Sequence, residues 1–212
     1  MSPDPREDLA DAVRALIHSV RAFDGPDEAA VAAGDIVRAV VAQLEPHRLE
    51  GPFMQAGLLV SVDPAVFLTD DPNAIFPYSP VVGRRNPLSP PVEMWSNEAG
   101  EVMGRAVLDP AYTGPPHSVH GGVIALIFDE LLGSTSVVNR VGAPTGTLTV
   151  RYRSFTPQGE QLDLRSWIDG REGRKIFIKG EMHHGDTLCA EADGIFIEPK
   201  ASWATESPFG GR

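Results

Sequence analysis

Along residues 6–22, apolar side chains recur at Leu9, Val13, Leu16, Ile17 and Val20, the spacing of a helix with one apolar face. The pattern returns in DGPDEAAVAAGDIVRAVVAQLEPHRLEG, with Val31, Ile36, Val37, Val40, Val41 and Leu44. Pro26 suits a first helical position there, and Gly51 follows as a breaker. The two stretches predict an N-terminal helical hairpin. Residues 52–91 then lose periodicity and become rich in proline and glycine, which predicts a long irregular segment with one short strand near GLLVSV. So long an irregular stretch in a compact domain is expected to pack over a site or a partner subunit.

From Val92 the pattern changes. VEMWSN and EVMGRAVLD flank the turn-like NEAG and predict a hairpin. An apolar stretch from Gly121 to about Val138 predicts a helix. TGTLTVRYRSF, QLDLRSWID, KIFIKGEMH and TLCAEADGIFIE follow, each alternating or rich in branched residues and separated by TPQGE, GREGR and HGD. Two strands, one long helix and four strands on short links make an α+β pattern with an antiparallel sheet. The expected organisation is an N-terminal extension over 1–80, a main domain over 81–200 and a tail over 201–212.

Composition narrows the function classes. A chain of 212 residues can bury a full core, and no apolar run approaches the twenty or so residues of a membrane span. MSPDPREDLADAV lacks the basic-then-apolar start of a secretory signal. The single cysteine, Cys189, excludes an intrachain disulfide and a cysteine-built zinc site, so a cytoplasmic protein is expected. A net charge of −11 argues against nucleic acid as a partner. Residues 151–179 run against that charge, with seven basic residues to four acidic ones. They read either as ordinary scatter on a solvated sheet face or as a local site for an anion.

The helix over 121–138 carries the chemistry. Val123, Ile124, Ala125, Leu126, Ile127, Phe128, Leu131 and Leu132 cover nearly its whole circumference, so the sheet should wrap it. Asp129 and Glu130 interrupt that surface. Neighbours on a helix lie about 100° apart, so the two acids cannot share one environment. Either one faces the core side while the other reaches solvent, a partner or a substrate, or both sit at an exposed helix edge or one pairs with a sheet arginine, because an unpaired buried carboxylate costs several kcal/mol or changes its pKa. The residues alone do not say which. His120-Gly121-Gly122 at the helix start leaves backbone N–H groups without intrahelical partners or blocking side chains, and such donors stabilise an oxyanion. The tripeptide also fits a plain flexible loop.

The combination resembles the signature of PaaI-like hotdog-fold acyl-CoA thioesterases. In that family His-Gly-Gly opens the central helix and an acid follows nine positions after the histidine, which here is Asp129 rather than Glu130. TGTLTVRY resembles the family's next strand, placing its leading threonine at Thr145. EGRKIFIKGEM and AEADGIFI resemble the closing strands, and RRNPLSPPVEMW the approach, with Asn86 expected near a neighbouring subunit's site. The resemblance covers about residues 80–198 and departs at Gly146, where alanine is usual, and at the extra acid Glu130.

It implies a hotdog fold, a homodimer or dimer of dimers with sites at the subunit interface, and hydrolysis of an acyl-CoA thioester without a metal or other cofactor. The Gly122 N–H, with Gly121 or the next amide, would polarise the carbonyl. Asp129 would act as general base or nucleophile, Thr145 would hold the water, and His120 would orient the loop or thioester. CoA phosphates would meet Arg174 and Lys175, then Arg153. The acyl group is expected to be a medium or long fatty chain, from the apolar GLLVSV and AVFL stretches. Three other readings stand beside this one. A non-catalytic acyl-CoA sensor has no need of Asp129. An enoyl-CoA hydratase needs an Asp/His arrangement not found here. A serine hydrolase lacks G-x-S-x-G.

Overall fold

The computed structural model describes residues 4–51, 53, 55, 71–90 and 92–198. Helix α1 (Pro5–Arg21) starts where Asp4 accepts from the Arg6 N–H at 2.9 Å, with acids in its first turn and His18 and Arg21 in its last, as the helix dipole favours. Helix α2 (Asp27–Leu44) follows after extended Pro26 and runs into a 3-10 turn over Glu45–His47. Both helices lie where the periodicity puts them, but they do not make a packed hairpin. No residue of α2 is buried, and Val31 and Ile36 are 62% and 67% exposed.

Helix α1 instead turns toward the rest of the molecule. Arg14 donates from Nε to the Ser89 carbonyl at 2.9 Å and from Nη2 to the Asn86 carbonyl at 3.2 Å. Arg85 pairs with Asp4 at 2.6 Å, and His18 meets the Tyr112 ring edge-on. Periodicity shows that a helix has an apolar face, not what that face meets.

Residues 71–90 are irregular apart from a four-residue helix α3 (Pro72–Ile75), yet they belong to the core. Ile75, Phe76, Val81 and Val82 are buried. Asn73 ties the segment to the sheet by donating to the carbonyls of Val82 and Val92 and accepting from the Met94 N–H. The strand expected near GLLVSV, the AVFL stretch and the tail fall outside the described residues.

The sheet comprises β1 (Glu93–Ser96), β2 (Val102–Val107), β3 (Thr145–Tyr152), β4 (Gln161–Glu172), β5 (Lys175–His184) and β6 (Thr187–Ile197). Their order is β1-β2-β4-β5-β6-β3, antiparallel throughout, so β3 lies at an edge. Helix α4 (Gly121–Val138) packs against β2 to β6. Its Ile127, Phe128, Leu131 and Leu132 are fully buried. Gly180 and Gly194 make that approach possible, since a Cβ on either would come within 2.7 Å of a Leu132 methyl. By length and composition alone α4 would also suit a membrane span, and the sheet against it accounts for its apolarity.

Candidate functional site

Four residues of α4 lie along one open stripe. Gly122 and Asp129 are exposed, Leu126 between them is 41% exposed and Gly133 is half-buried. The intervals of four, three and four residues place them on one helix face. The two acids separate as their 100° offset requires. Asp129 points out along this stripe, while Glu130 turns toward the 76–83 segment.

Asp129 is held from the sheet edge. The Thr145 hydroxyl donates to its Oδ1 at 2.9 Å. Thr145 reaches the helix side of β3 because of a register shift between Thr145 and Thr147. Leu148 and Val150 pack toward the core, so unbroken alternation would put position 146 on that side. The irregularity hands the place to Thr145 instead. Glycine at 146, where the family usually has alanine, fits this spot. A Cβ there would lie 2.9 Å from Ile197 Cγ1 and 3.2 Å from the Ile195 carbonyl oxygen.

At the other end of the stripe, His120 is the N-cap of α4 and its Nδ1 accepts from the Gly122 N–H at 3.0 Å. The amide proposed from sequence as an oxyanion donor is therefore capped by the neighbouring imidazole. A substrate carbonyl would have to displace that ring. Exchanging His120 for alanine should lower stability by about 1 kcal/mol in thermal unfolding, the usual worth of an N-cap. The Gly121 carbonyl accepts from the Tyr152 hydroxyl at 2.8 Å. Tyr152 was missed in the sequence, although it shares strand parity with Leu148 and Val150 and so faces the helix.

Glu130 is largely buried, and its Oε1 has no hydrogen-bond partner among the described residues. Burial pushes its carboxyl up to about 7; the nearby Ser79 hydroxyl pulls the other way, and the Asp129 charge adds to the rise. Ser79 is fully buried and accepts from the amides of Val81 and Val82.

The remaining predicted residues are not gathered at one place. Asn86 donates from its side-chain amide to the Tyr78 carbonyl at 3.0 Å and accepts from the Leu88 N–H at 3.0 Å, so both ends hold its own loop. Arg153 pairs with Glu191 at 2.5 Å, next to the Tyr152 end of β3. Arg174, whose Nε donates to the Glu198 carbonyl at 2.7 Å, and exposed Lys175 sit at the opposite end, because Lys175 lies beside Ile197 and Thr145 beside Phe196. The basic segment closes largely on acids. Arg151 pairs with Asp193, Arg165 with Glu101, Arg171 with Glu198 and Lys179 with Asp169. Composition showed the positive charge; cross-strand register decides how it is used. All of these pairs are exposed and worth little individually.

A solved thioesterase superfamily protein superposes on the chain with a TM-score of 0.77, covering 93% of both chains at 27% identity. The chain has the hotdog fold of that thioesterase superfamily protein. No protein-family model matches it. Acyl-coenzyme A thioesterase THEM4 of Xenopus laevis is 35% identical over 91 residues, covering 42% of this chain and 41% of the relative. Acyl-coenzyme A thioesterase THEM5 of Homo sapiens is 28% identical over 87 residues, 40% of this chain and 35% of the relative. The chain thus matches well under half the length of these curated relatives.

Proposed function

We propose that this hotdog hydrolyses acyl-CoA thioesters to free acid and CoA, at sites built between two copies of the chain. The observation that carries the reading is the exposed Asp129 held by Thr145 on the same helix face as Gly122. Gly122 and Asp129 lie seven residues apart, roughly 10 Å along the axis. That is too far for both to act on one carbonyl, since an attacking atom must come within about 3 Å. An antiparallel second copy removes the difficulty. A two-fold axis passing beside Leu126 sets Gly122 of one copy against Asp129 of the other, twice.

The sheet edge supports the same axis. Within one protomer Tyr152 touches Gly121 and Thr145 touches Asp129. An axis that exchanges Gly122 with Asp129 therefore exchanges the two ends of β3 as well, which is antiparallel pairing of edge strands. Pairing would cover exposed Tyr152 and the open β3 edge. The relatives named as acyl-coenzyme A thioesterases support the substrate class.

In the proposed reaction the Gly122 amide, once the imidazole of His120 moves aside, takes the carbonyl oxygen. Asp129 of the facing copy activates water or attacks directly, with Thr145 fixing its orientation. Lys175 and Arg174 are the candidates for CoA phosphate contacts, and no cofactor is called for besides the CoA of the substrate. We place the protein in the cytoplasm, where acyl-CoA is available, as a dimer or dimer of dimers.

Free-thiol release from a panel of acyl-CoAs tests the proposal. Turnover of at least one acyl-CoA supports it. Binding without thiol release would make the protein an acyl-CoA sensor, and loss of enoyl absorbance on crotonyl-CoA would make it a hydratase.

A further inference from the structure

Nothing among the described residues of the protomer explains why residue 133, in the middle of α4, is glycine. Glycine is the poorest helix-interior residue after proline. Gly180 and Gly194 are explained by the Leu132 methyls that a side chain would strike. At Gly133 a Cβ would meet nothing within 4 Å among the described residues, and the backbone there is ordinary helix. The residue lies one turn past Asp129, at the end of the stripe that begins at Gly122. On the helix its direction falls between those of Asp129 and Glu130, so the bare spot is flanked by the proposed reacting acid on one side.

From these observations we infer that Gly133 is the floor of the acyl-binding site and sets which acyl groups the enzyme accepts. This rests on the thioesterase reading. With the thioester carbonyl at Asp129, Gly133 lies roughly 6 Å farther along the axis. An acetyl group ends short of it, whereas a medium-chain acyl group lies across it. A side chain at 133 would take the space of the chain's methylenes while leaving Asp129, Thr145 and Gly122 in place.

The test compares wild type with Gly133→Ala and Gly133→Leu on acetyl-CoA and dodecanoyl-CoA. The expected result is that Gly133→Leu loses at least tenfold in kcat/KM on dodecanoyl-CoA and less than twofold on acetyl-CoA. Gly133→Ala should fall between, and both variants should melt higher than wild type because the helix gains a better former. Equal losses on both substrates, or none on either, overturn the inference while leaving the thioesterase reading intact. So does sedimentation of Gly133→Leu at lower mass than wild type, since the bare spot would then seat a neighbouring copy. Should wild type hydrolyse no acyl-CoA, the thioesterase reading fails by itself. The inference is then read from binding, where dodecanoyl-CoA must be weakened by Gly133→Leu and free CoA must not; equal binding to both proteins overturns it.

Discussion

Asp129→Asn should cut kcat for thiol release by a hundredfold or more, with KM changed little. Asparagine keeps the size of the side chain and still accepts from the Thr145 hydroxyl, so the contact at 2.9 Å can persist and α4 loses no packing. What disappears is the carboxylate, which in the proposed reaction either takes a proton from water or attacks the carbonyl. Removing a group that acts only in the transition state lowers kcat and kcat/KM together, and a hundredfold corresponds to about 3 kcal/mol of barrier. Thr145→Ala should have a smaller effect, about tenfold, because it removes one orienting hydrogen bond. A thiol-release assay on an acyl-CoA turned over by wild type reads both variants. An Asp129→Asn protein with wild-type kcat would remove Asp129 from the mechanism. Because the proposed sites lie between copies, Asp129→Asn mixed with a Gly122 variant should also recover part of the activity in hybrid dimers, where one intact site of two forms.

The division between what was legible in the chain and what was not follows the physics of each signal. Helix α4 was bounded from sequence at Gly121 and Val138 because apolar coverage and a His-Gly-Gly start are local properties. The order of strands along the chain was likewise local. The relation between Asp129 and Thr145 required the resemblance, since the register irregularity that turns Thr145 toward the helix depends on how β3 meets β6. The basic run at 151–179 shows the opposite failure. Its charge was visible, but its acidic partners Glu101, Asp193 and Glu198 come from other stretches of chain, and only pairing across strands reveals them. Asn86 is a third case. Its expected place near a site came from the resemblance, while its side chain closes the 78–88 loop that Arg14 grips from α1.

Glu130 shows how a buried acid becomes visible in stability. The sequence left open whether either of the two neighbouring carboxylates faces inward, and Glu130 does. An ordinary glutamate carboxyl titrates at 4.5, and burial raises this one to about 7. The protonated form is therefore the one the folded protein prefers. Its contribution to stability is complete below pH 4.5, where folded and unfolded chains both carry the proton. It is lost progressively as pH rises toward 7, because the unfolded chain releases the proton first. Above 7 the folded protein holds a charge in a place where Oε1 has no partner among the described residues.

Glu130→Gln removes that penalty while keeping shape and hydrogen-bonding capacity toward Ser79. At pH 8 the variant should be more stable than wild type by about 2–3 kcal/mol, the lower figure allowing for the part of the residue that still reaches solvent. At pH 4.5 the two should unfold together. Urea unfolding at both pH values checks this, and a variant equally stable or weaker at pH 8 would mean that the Glu130 carboxylate finds a partner in solution. The residue that tolerates this burial adjoins Asp129 in sequence, and the Asp129 charge itself adds to the rise. Asp129→Asn should therefore bring the Glu130 transition down, shifting the pH at which wild-type stability levels off. One substitution then reports on catalysis through thiol release and on the neighbouring carboxyl through stability.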